Sequence, residues 1–239
     1  MDNRQLLNDS LNKMGIDISK KQIQQFFDYK SLLLQWNEKM NLTAITDEGE
    51  VVIKHFADSV SILSAVNIEN GATIIDVGTG AGFPGLPVKI VRPDLKVTLL
   101  DSLNKRIGFL NEVCTHLCLE NVDNIHSRAE DGGQNPELRE KFDYCLSRAV
   151  ANLAVLSEYC LPFVKVGGSF ISLKGPDVSQ EVNDGETAIK KLGGRVEQIF
   201  KIEIPNSDIT HSLVIIKKMS KTPKLYPRKA GTASKNPIK

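Results

Sequence analysis

The sequence has no Cys-x-x-Cys pair, no long apolar run and no acidic residue between Lys217 and Lys239. Each absence excludes something. The four cysteines are Cys114, Cys118, Cys145 and Cys160. Cys114 and Cys118 share one helix face beside His116, but no second ligand pair accompanies them. That argues against a metal site and for reduced thiols inside a cell. No segment approaches the ~18 apolar residues that a membrane span needs. The polar opening MDNRQLLNDS lacks the apolar core of a secretory signal. These absences predict a soluble, cytoplasmic chain with no membrane partner and no metal, expected as a monomer.

The net charge of +1 is uninformative, but its distribution is not. Eight of the 30 basic residues lie between Lys217 and Lys239, which leaves 22 against all 29 acids, a net of −7 for the rest. A basic tail on an acidic body suggests contact with a polyanion. Its prolines, Pro223, Pro227 and Pro237, predict an extended and poorly packed segment.

Composition is that of an ordinary globular protein, 41% hydrophobic and 25% charged over 239 residues. Residues 1 to about 66 read as helices. Ser19 can cap a helix, with Gln22 in capping-box spacing, followed by an apolar face from Ile23 to Trp36. The segment Asn41-Leu-Thr-Ala-Ile45 breaks that helix, and another is expected over 49–66, with His55 and Asp58 on its flank. From residue 72 the pattern alternates. Strands are expected at 73–77, 96–100, 124–127, 142–147 and 168–173, and helices at 86–91, 105–119, 152–164 and 178–192. Such alternation argues for a parallel sheet covered by helices. Two last strands, 195–204 and 209–217, are joined too closely for a parallel crossover and so form an antiparallel hairpin.

The chain is organised around TIIDVGTGAGFPGLP, from Thr73 to Pro87. It reads as a buried strand, a tight turn and a helix start, with Gly78, Gly80, Gly82 and Gly85 in the turn. Glycines there permit positive φ and close approach of a ligand to the backbone. Gly80-x-Gly82-x-x-Gly85 matches a dinucleotide fingerprint formally, and Asp101, about 20 residues on, would hold a ribose hydroxyl in any nucleoside cofactor. Two details favour S-adenosyl-L-methionine. Asp76 disfavours a neighbouring pyrophosphate and suits a cationic ligand. Pro84 and Pro87 remove backbone donors from the helix start that would bind phosphate.

Several stretches resemble the bacterial 16S ribosomal RNA guanine-N7 methyltransferases, also called glucose-inhibited division protein B. They are Trp36-Asn37, Asn41-Leu-Thr-Ala-Ile45, His55-Phe-Ala-Asp-Ser59, DVGTGAGFPGLP from Asp76 and LLDSLNKR from Leu99. SRAE from Ser127, SRAVA from Ser147, Leu173-Lys-Gly175 and PRKAGTASKNPI from Pro227 complete the set. A proline found in some members after the tail's Gly-Thr is Ala233 here.

The resemblance implies an α/β, Rossmann-like class I S-adenosylmethionine-dependent methyltransferase sheet, mostly parallel with an antiparallel hairpin at the end. An N-terminal helical extension (1–66) precedes this domain (67–218), and a basic tail (219–239) follows. Gly78, Gly80 and Phe83 would line the cofactor with Asp76, Asp101 would accept from the ribose, and Ala129 and Glu130 would border the adenine. Arg148 would reach the methionine carboxylate or a substrate phosphate. Lys174 joins Arg148 as a candidate catalytic residue on the RNA side of the pocket. Lys224, Arg228, Lys229 and Lys235 would contact phosphates of 16S rRNA in the small ribosomal subunit.

The chemistry is compatible with this. Methyl transfer from a sulfonium needs mainly alignment. No cysteine stands where pyrimidine C5 chemistry would want one, since Cys145 lies in a strand without a preceding proline and Cys160 lies in a helix. The Asn/Asp-Pro-Pro-aromatic turn of exocyclic-amine enzymes is absent after the fourth strand, where the residues are Leu146-Ser-Arg-Ala-Val150. Guanine N7 offers a lone pair and needs no general base, but its choice as acceptor rests on the resemblance. Alternatives from the residues are methylation of another RNA or a small molecule, a non-catalytic RNA-binding assembly factor, and an NAD-dependent dehydrogenase.

Overall fold

The computed structural model describes residues 2–148 and 151–239. The part of SRAVA that falls on 149–150 lies outside the described residues. Two helices open the chain, α1 (Asn3–Lys13) and α2 (Lys20–Met40). The cap of α2 forms as its sequence predicts. Gln22 N–H donates to Ser19 Oγ, and Ser19 N–H donates back to Gln22 Oε1. The helix stops at Asn41, which takes the left-handed conformation (φ 48°) that asparagine tolerates.

The single helix expected over 49–66 is divided. It comprises α3 (Glu48–Glu50), a π-helical stretch Val51–Ala57, α4 (Asp58–Val60) and α5 (Ile62–Ala65). Ser59 Oγ donates to His55 O and Ser61 Oγ to Asp58 O, so two hydroxyls compete with the backbone ladder where the winding changes.

Then come β1 (Thr73–Val77), α6 (Gly85–Val91), β2 (Lys96–Asp101), α7 (Asn104–His116) and β3 (Val122–His126). Next are α8 (Ala129–Gln134), β4 (Phe142–Arg148), α9 (Leu153–Cys160), a 3-10 turn (Leu161–Phe163) and β5 (Val164–Lys174). The chain closes with α10 (Ser179–Lys191), β6 (Gly194–Glu203), β7 (Thr210–Lys218) and α11 (Thr232–Lys235). The expected helix 152–164 stops early because Pro162 sits in the 3-10 turn, and β5 begins at Val164, before Gly167 and Gly168.

The sheet runs β3-β2-β1-β4-β5-β7-β6. Its first five strands are parallel, while β7 pairs antiparallel with both β5 and β6. The order reverses between β1 and β4, and connections leaving those strands diverge at their carboxyl ends.

Strand alternation divides the core between the two sheet faces. Ile74, Val97 and Leu99 join a cluster with Leu7, Leu11, Phe26, Phe56 and Phe109, so α1, α2 and the π-helical stretch share one apolar core with this face. Ile75, Val77 and Leu100 join the opposite cluster with Leu153, Phe163 and Ile189. No helix among the described residues is long and apolar enough to cross a membrane.

The tail departs most from expectation. It is anchored rather than loosely packed. Thr222, Pro227, Ala233 and Ile238 are buried, and Ile238 completes the second cluster. Lys218 Nζ donates to Leu161 O and Thr222 Oγ1, while Arg139 donates to the carbonyls of Thr222 and Tyr226. Charge density alone predicts solvation. Here buried acceptors on the body take up part of that charge.

Candidate functional site

A cleft of about 380 Å³ opens beyond the carboxyl ends of β1, β2 and β4, lined by Gly78, Gly80, Phe83, Asp101, Arg148 and His55 among others. Its floor is the glycine turn. Gly78 and Gly80 have φ of 70° and 63°, a region costly for any residue with a Cβ. A Cβ at Gly80 would meet nothing within 4 Å, so its conformation, not crowding, calls for glycine. Gly82, at φ 96°, shares that need and adds crowding to it, while Gly85 answers crowding alone. A Cβ on Gly82 would lie 2.7 Å from Tyr29 Oη, and one on Gly85 2.6 Å from Leu99 Cδ2 and 2.9 Å from Asp76 Oδ2. The turn is pressed against the core from below, where Tyr29 Oη also donates to Ala81 O.

Asp76 braces this turn from inside. Its Oδ2 accepts from Thr79 Oγ1 (2.7 Å) and Gly85 N–H (2.8 Å), its Oδ1 has no partner, and the residue is fully buried. Burial pushes its pKa up to about 6 against those two bonds. The expectation of direct cofactor contact by Asp76 is therefore corrected. A strand residue two positions before the first glycine sits under the turn, not in the cleft.

Asp101 stands at the end of β2 on the cleft wall. Its Oδ2 accepts from Gly80 N–H and its Oδ1 from Leu103 N–H, both at 2.9 Å, and Arg106 approaches at 3.2 Å. These bonds fix the carboxylate against the turn while it still lines the cleft.

Ala129 and Glu130 do not line the cleft. Glu130 is buried, and its Oε1 accepts from Gly231 N–H of the tail at 2.9 Å. It borders a separate hollow of about 440 Å³ between α8 and the tail. Ala129 packs partly buried against the second core cluster. Both are corrected as residues of this cleft because the anchored tail engages the start of α8.

The opposite wall is a charged and aromatic cluster. Arg148 NH1 donates to Asp58 Oδ2 at 2.7 Å, and its guanidinium carbon lies 5.1 Å from the Phe83 ring centroid. The His55 ring stacks on Phe83 at 4.5 Å and 18°. Arg148 NH2 lies 3.3 Å from His55 Nδ1. An arginine can only donate, so Nδ1 accepts and Nε2–H faces Thr43 Oγ1 at 2.8 Å. Burial, followed by the Arg148 charge, lowers the His55 pKa to about 4, which keeps the imidazole neutral at neutral pH. Burial raises Asp58, but His211 and Arg148 together hold it below the usual carboxylate range. The sequence signals for this wall were His55 and Asp58 three residues apart and the helix break at Asn41, which brings Leu42 and Thr43 to the cleft.

Lys174 does not reach the cleft. Its side chain is nearly buried and its Nζ donates to Ala151 O and to Glu181 Oε1 (2.6 Å). The placement on the RNA side of the pocket is corrected, since α10 supplies a carboxylate that captures the amine. In the tail, Lys224, Lys229 and Lys235 are exposed. Arg228 is not free, because it pairs with Glu158 at 2.6 Å through a carboxylate only 1% exposed. It is corrected from phosphate contact to anchor. Among the described residues no three His, Cys, Asp or Glu side chains gather as metal ligands would.

The arrangement offers a carboxylate beside two positive-φ glycines, an arginine, a neutral imidazole and an aromatic face. That set suits a nucleoside bearing a ribose diol and a carboxylate.

Residues 22–210 match the sequence model of the family described as GidB, rRNA small subunit methyltransferase G. A relative of that name from Clostridium perfringens strain SM101 is 54% identical over 234 residues, covering 98% of both chains. Another, from Alkaliphilus metalliredigens, is 54% identical over 239 residues and covers 100% of both. Among solved structures, M. jannaschii TYW2 in complex with AdoMet superposes with a TM-score of 0.51 at 15% identity, over 64% of this chain and 72% of that one. A SAM-dependent methyltransferase from Aquifex aeolicus gives a TM-score of 0.50 at 18% identity, over 70% and 92%. At these identities the structural likenesses speak to fold alone, and that fold is the Rossmann-like class I methyltransferase sheet.

Proposed function

The chain belongs to the rRNA small subunit methyltransferase G family, and from that premise we propose that it transfers a methyl group from S-adenosyl-L-methionine to N7 of a guanine in 16S rRNA. The observation that carries the reading is the cleft at the reversal of strand order, where Asp101 and Arg148 face each other across the glycine turn. It acts as a monomer in the cytoplasm, on rRNA of the small ribosomal subunit.

The cofactor fits the residues present. Asp101, locked by Gly80 N–H and Leu103 N–H, is an acceptor for a ribose diol. The open space above Gly80 leaves the backbone approachable, and Arg148 is the cation for a carboxylate or a phosphate. When bound, the sulfonium supplies an electrophilic methyl group. What the chain contributes is alignment and exclusion of water. Phe83, with His55 stacked on it, forms a rigid apolar wall, and the neutral imidazole adds no positive charge beside an incoming base. Guanine N7 has no proton to lose, so a site with no free base at its wall can still serve it. Lys224, Lys229 and Lys235 supply phosphate contacts whose strength falls with salt.

The test is transfer of labelled methyl from S-adenosylmethionine to small ribosomal subunits from a strain lacking this gene, followed by nucleoside analysis. Label in 7-methylguanosine is expected, with the rate reduced on the order of a hundredfold in Arg148→Ala, because misplacing the reacting groups costs about that much. Label in another nucleoside would overturn the acceptor. No label despite measured cofactor binding would overturn the substrate.

A further inference from the structure

Arg148 is held in place by a second link that lies outside the cleft. Asp58 sits between Arg148 and His211. Its Oδ2 accepts from Arg148 NH1 at 2.7 Å, and its Oδ1 lies 2.7 Å from His211 Nδ1. His211 Nε2 in turn lies 3.2 Å from Ser61 Oγ. The three charged or polar partners come from distant parts of the chain: Arg148 ends β4, Asp58 follows the π-helical stretch, and His211 belongs to β7 of the terminal hairpin. Asp58 and His211 are 9% and 6% exposed, and neither lines the cleft.

We propose that His211 is a positioning residue for the methyl-transfer site, fixing the Asp58 carboxylate so that Asp58 fixes the Arg148 guanidinium against Phe83. The proposal rests on the reading of Arg148 as part of the transfer site. The physical argument concerns rotation. A carboxylate that meets an arginine through one oxygen can swing about its own side-chain bonds and carry the arginine with it. A donor on its other oxygen removes that freedom, as the groups behind a functional ligand generally do. His211 Nδ1 and Asp58 Oδ1 lie 2.7 Å apart, closer than the two atoms pack without a proton between them, although the ring plane is turned off the line of an ideal hydrogen bond, so Nδ1 faces the carboxylate as its proton-bearing nitrogen. Arg148 needs this support because its other contacts on that side are longer: Lys54 O at 3.2 Å, Ser59 Oγ and His55 Nδ1 both at 3.3 Å. The hairpin thus has a task at the cleft although β5 lies between it and β4.

Two substitutions of similar polarity separate the donor from the bulk of the ring. His211→Asn can present an amide N–H near the Nδ1 position, whereas His211→Gln places its amide further out, toward Ser61. Each is made in the full-length wild-type chain and in Arg148→Ala. Arg148 order is read from the guanidinium 15N resonances of arginine-labelled protein, and methyl transfer to small subunits is measured alongside. His211→Asn should keep distinct Arg148 resonances and most of the rate. His211→Gln should average those resonances and slow transfer roughly tenfold, as loss of such supporting contacts does. In Arg148→Ala the two substitutions should be indistinguishable, because their effect passes through the missing side chain. Equal resonances and equal rates for Asn and Gln would overturn the proposal, as would an undiminished Gln effect in Arg148→Ala. A wild-type protein that transfers no methyl group, yet shows the resonance pattern, would overturn the functional reading and leave the positioning role standing.

Discussion

The cleft wall around Arg148 and the tail around Arg228 use the same chemistry to opposite ends. Each arginine meets a largely buried carboxylate, Asp58 in one case and Glu158 in the other. Arg148 meets its carboxylate through NH1 alone, with NH2 turned to the His55 ring, and still lines a cavity. Arg228 is gripped through Nε, NH2 and its own backbone N–H, all on Glu158, and no donor set of that kind is left for a ligand. An arginine held at one edge presents its remaining donors, while one held along its fork serves as an anchor. The difference lies in what surrounds each residue and is invisible in a count of basic residues.

The largest expected effect tests the anchor. Arg228→Ala should destabilise the protein by about 3 kcal/mol in denaturant unfolding, because it strands a buried carboxylate with one remaining backbone donor. Its RNA affinity, corrected for folded fraction, should keep the salt slope of the parent. A stability within about 0.5 kcal/mol of the parent, with a shallower salt slope, would make Arg228 a phosphate contact after all and dissolve the contrast. Cutting the chain after Met219 is a poor test of RNA binding for the same reason, since it removes the buried Ala233 and Ile238.

The cleft and the turn beneath it can be tested through one perturbed base and one perturbed acid, His55 and Asp76. Unfolded Asp76 ionises near 3.8 and folded Asp76 near 6. Between those values the folded chain holds the extra proton, so this group makes stability fall as pH rises. Unfolded His55 loses its proton near 6.5 and folded His55 near 4, so over that span the unfolded chain holds the extra proton and stability rises with pH. A shift of two units or so corresponds to about 3 kcal/mol for either group, and the two contributions oppose each other across nearly the same window. The parent should show little change from them between pH 4 and 6. Asp76→Asn should unmask a rise in stability with pH, and His55→Phe a fall. Parallel curves for parent and both variants would show that neither group is perturbed.

Much of this was legible in the sequence. The strand 73–77, the capping box at Ser19 and Gln22, and the terminal hairpin follow from local pattern and connection length, and they stand as read. What sequence could not show is where a side chain's partner comes from. Asp76 has the position of a ligand contact but folds under the turn, because Thr79 and Gly85 offer donors there. Glu130 and Lys174 are captured by Gly231 and Glu181. His211 carries no motif at all, and its relation to Asp58 exists only once β7 lies next to β5. The π-helical winding is equally silent in a run such as VVIKHFA, whose apolar spacing suits an ordinary helix.

The smallest expected effect separates the two kinds of basic residue within the tail itself. Lys224, Lys229 and Lys235 are exposed, in contrast to the paired Arg228 and the buried Lys218. Replacing all three by Gln removes three exposed charges and touches no buried contact, so unfolding stability should stay within about 0.5 kcal/mol of the parent. If each lysine displaces a counterion from RNA, the slope of log affinity against log salt should flatten by roughly 2, from about 0.7 per phosphate on single-stranded RNA. Affinity at low salt should drop more than affinity at high salt, and cofactor affinity should be unchanged, because none of the three lines the cleft. An unchanged slope would place the RNA contacts elsewhere on the body and reduce the tail to its anchoring role alone. A flattened slope with intact stability would show that one segment of 21 residues holds two populations of charge, one turned inward to fix the fold and one turned outward to meet phosphate.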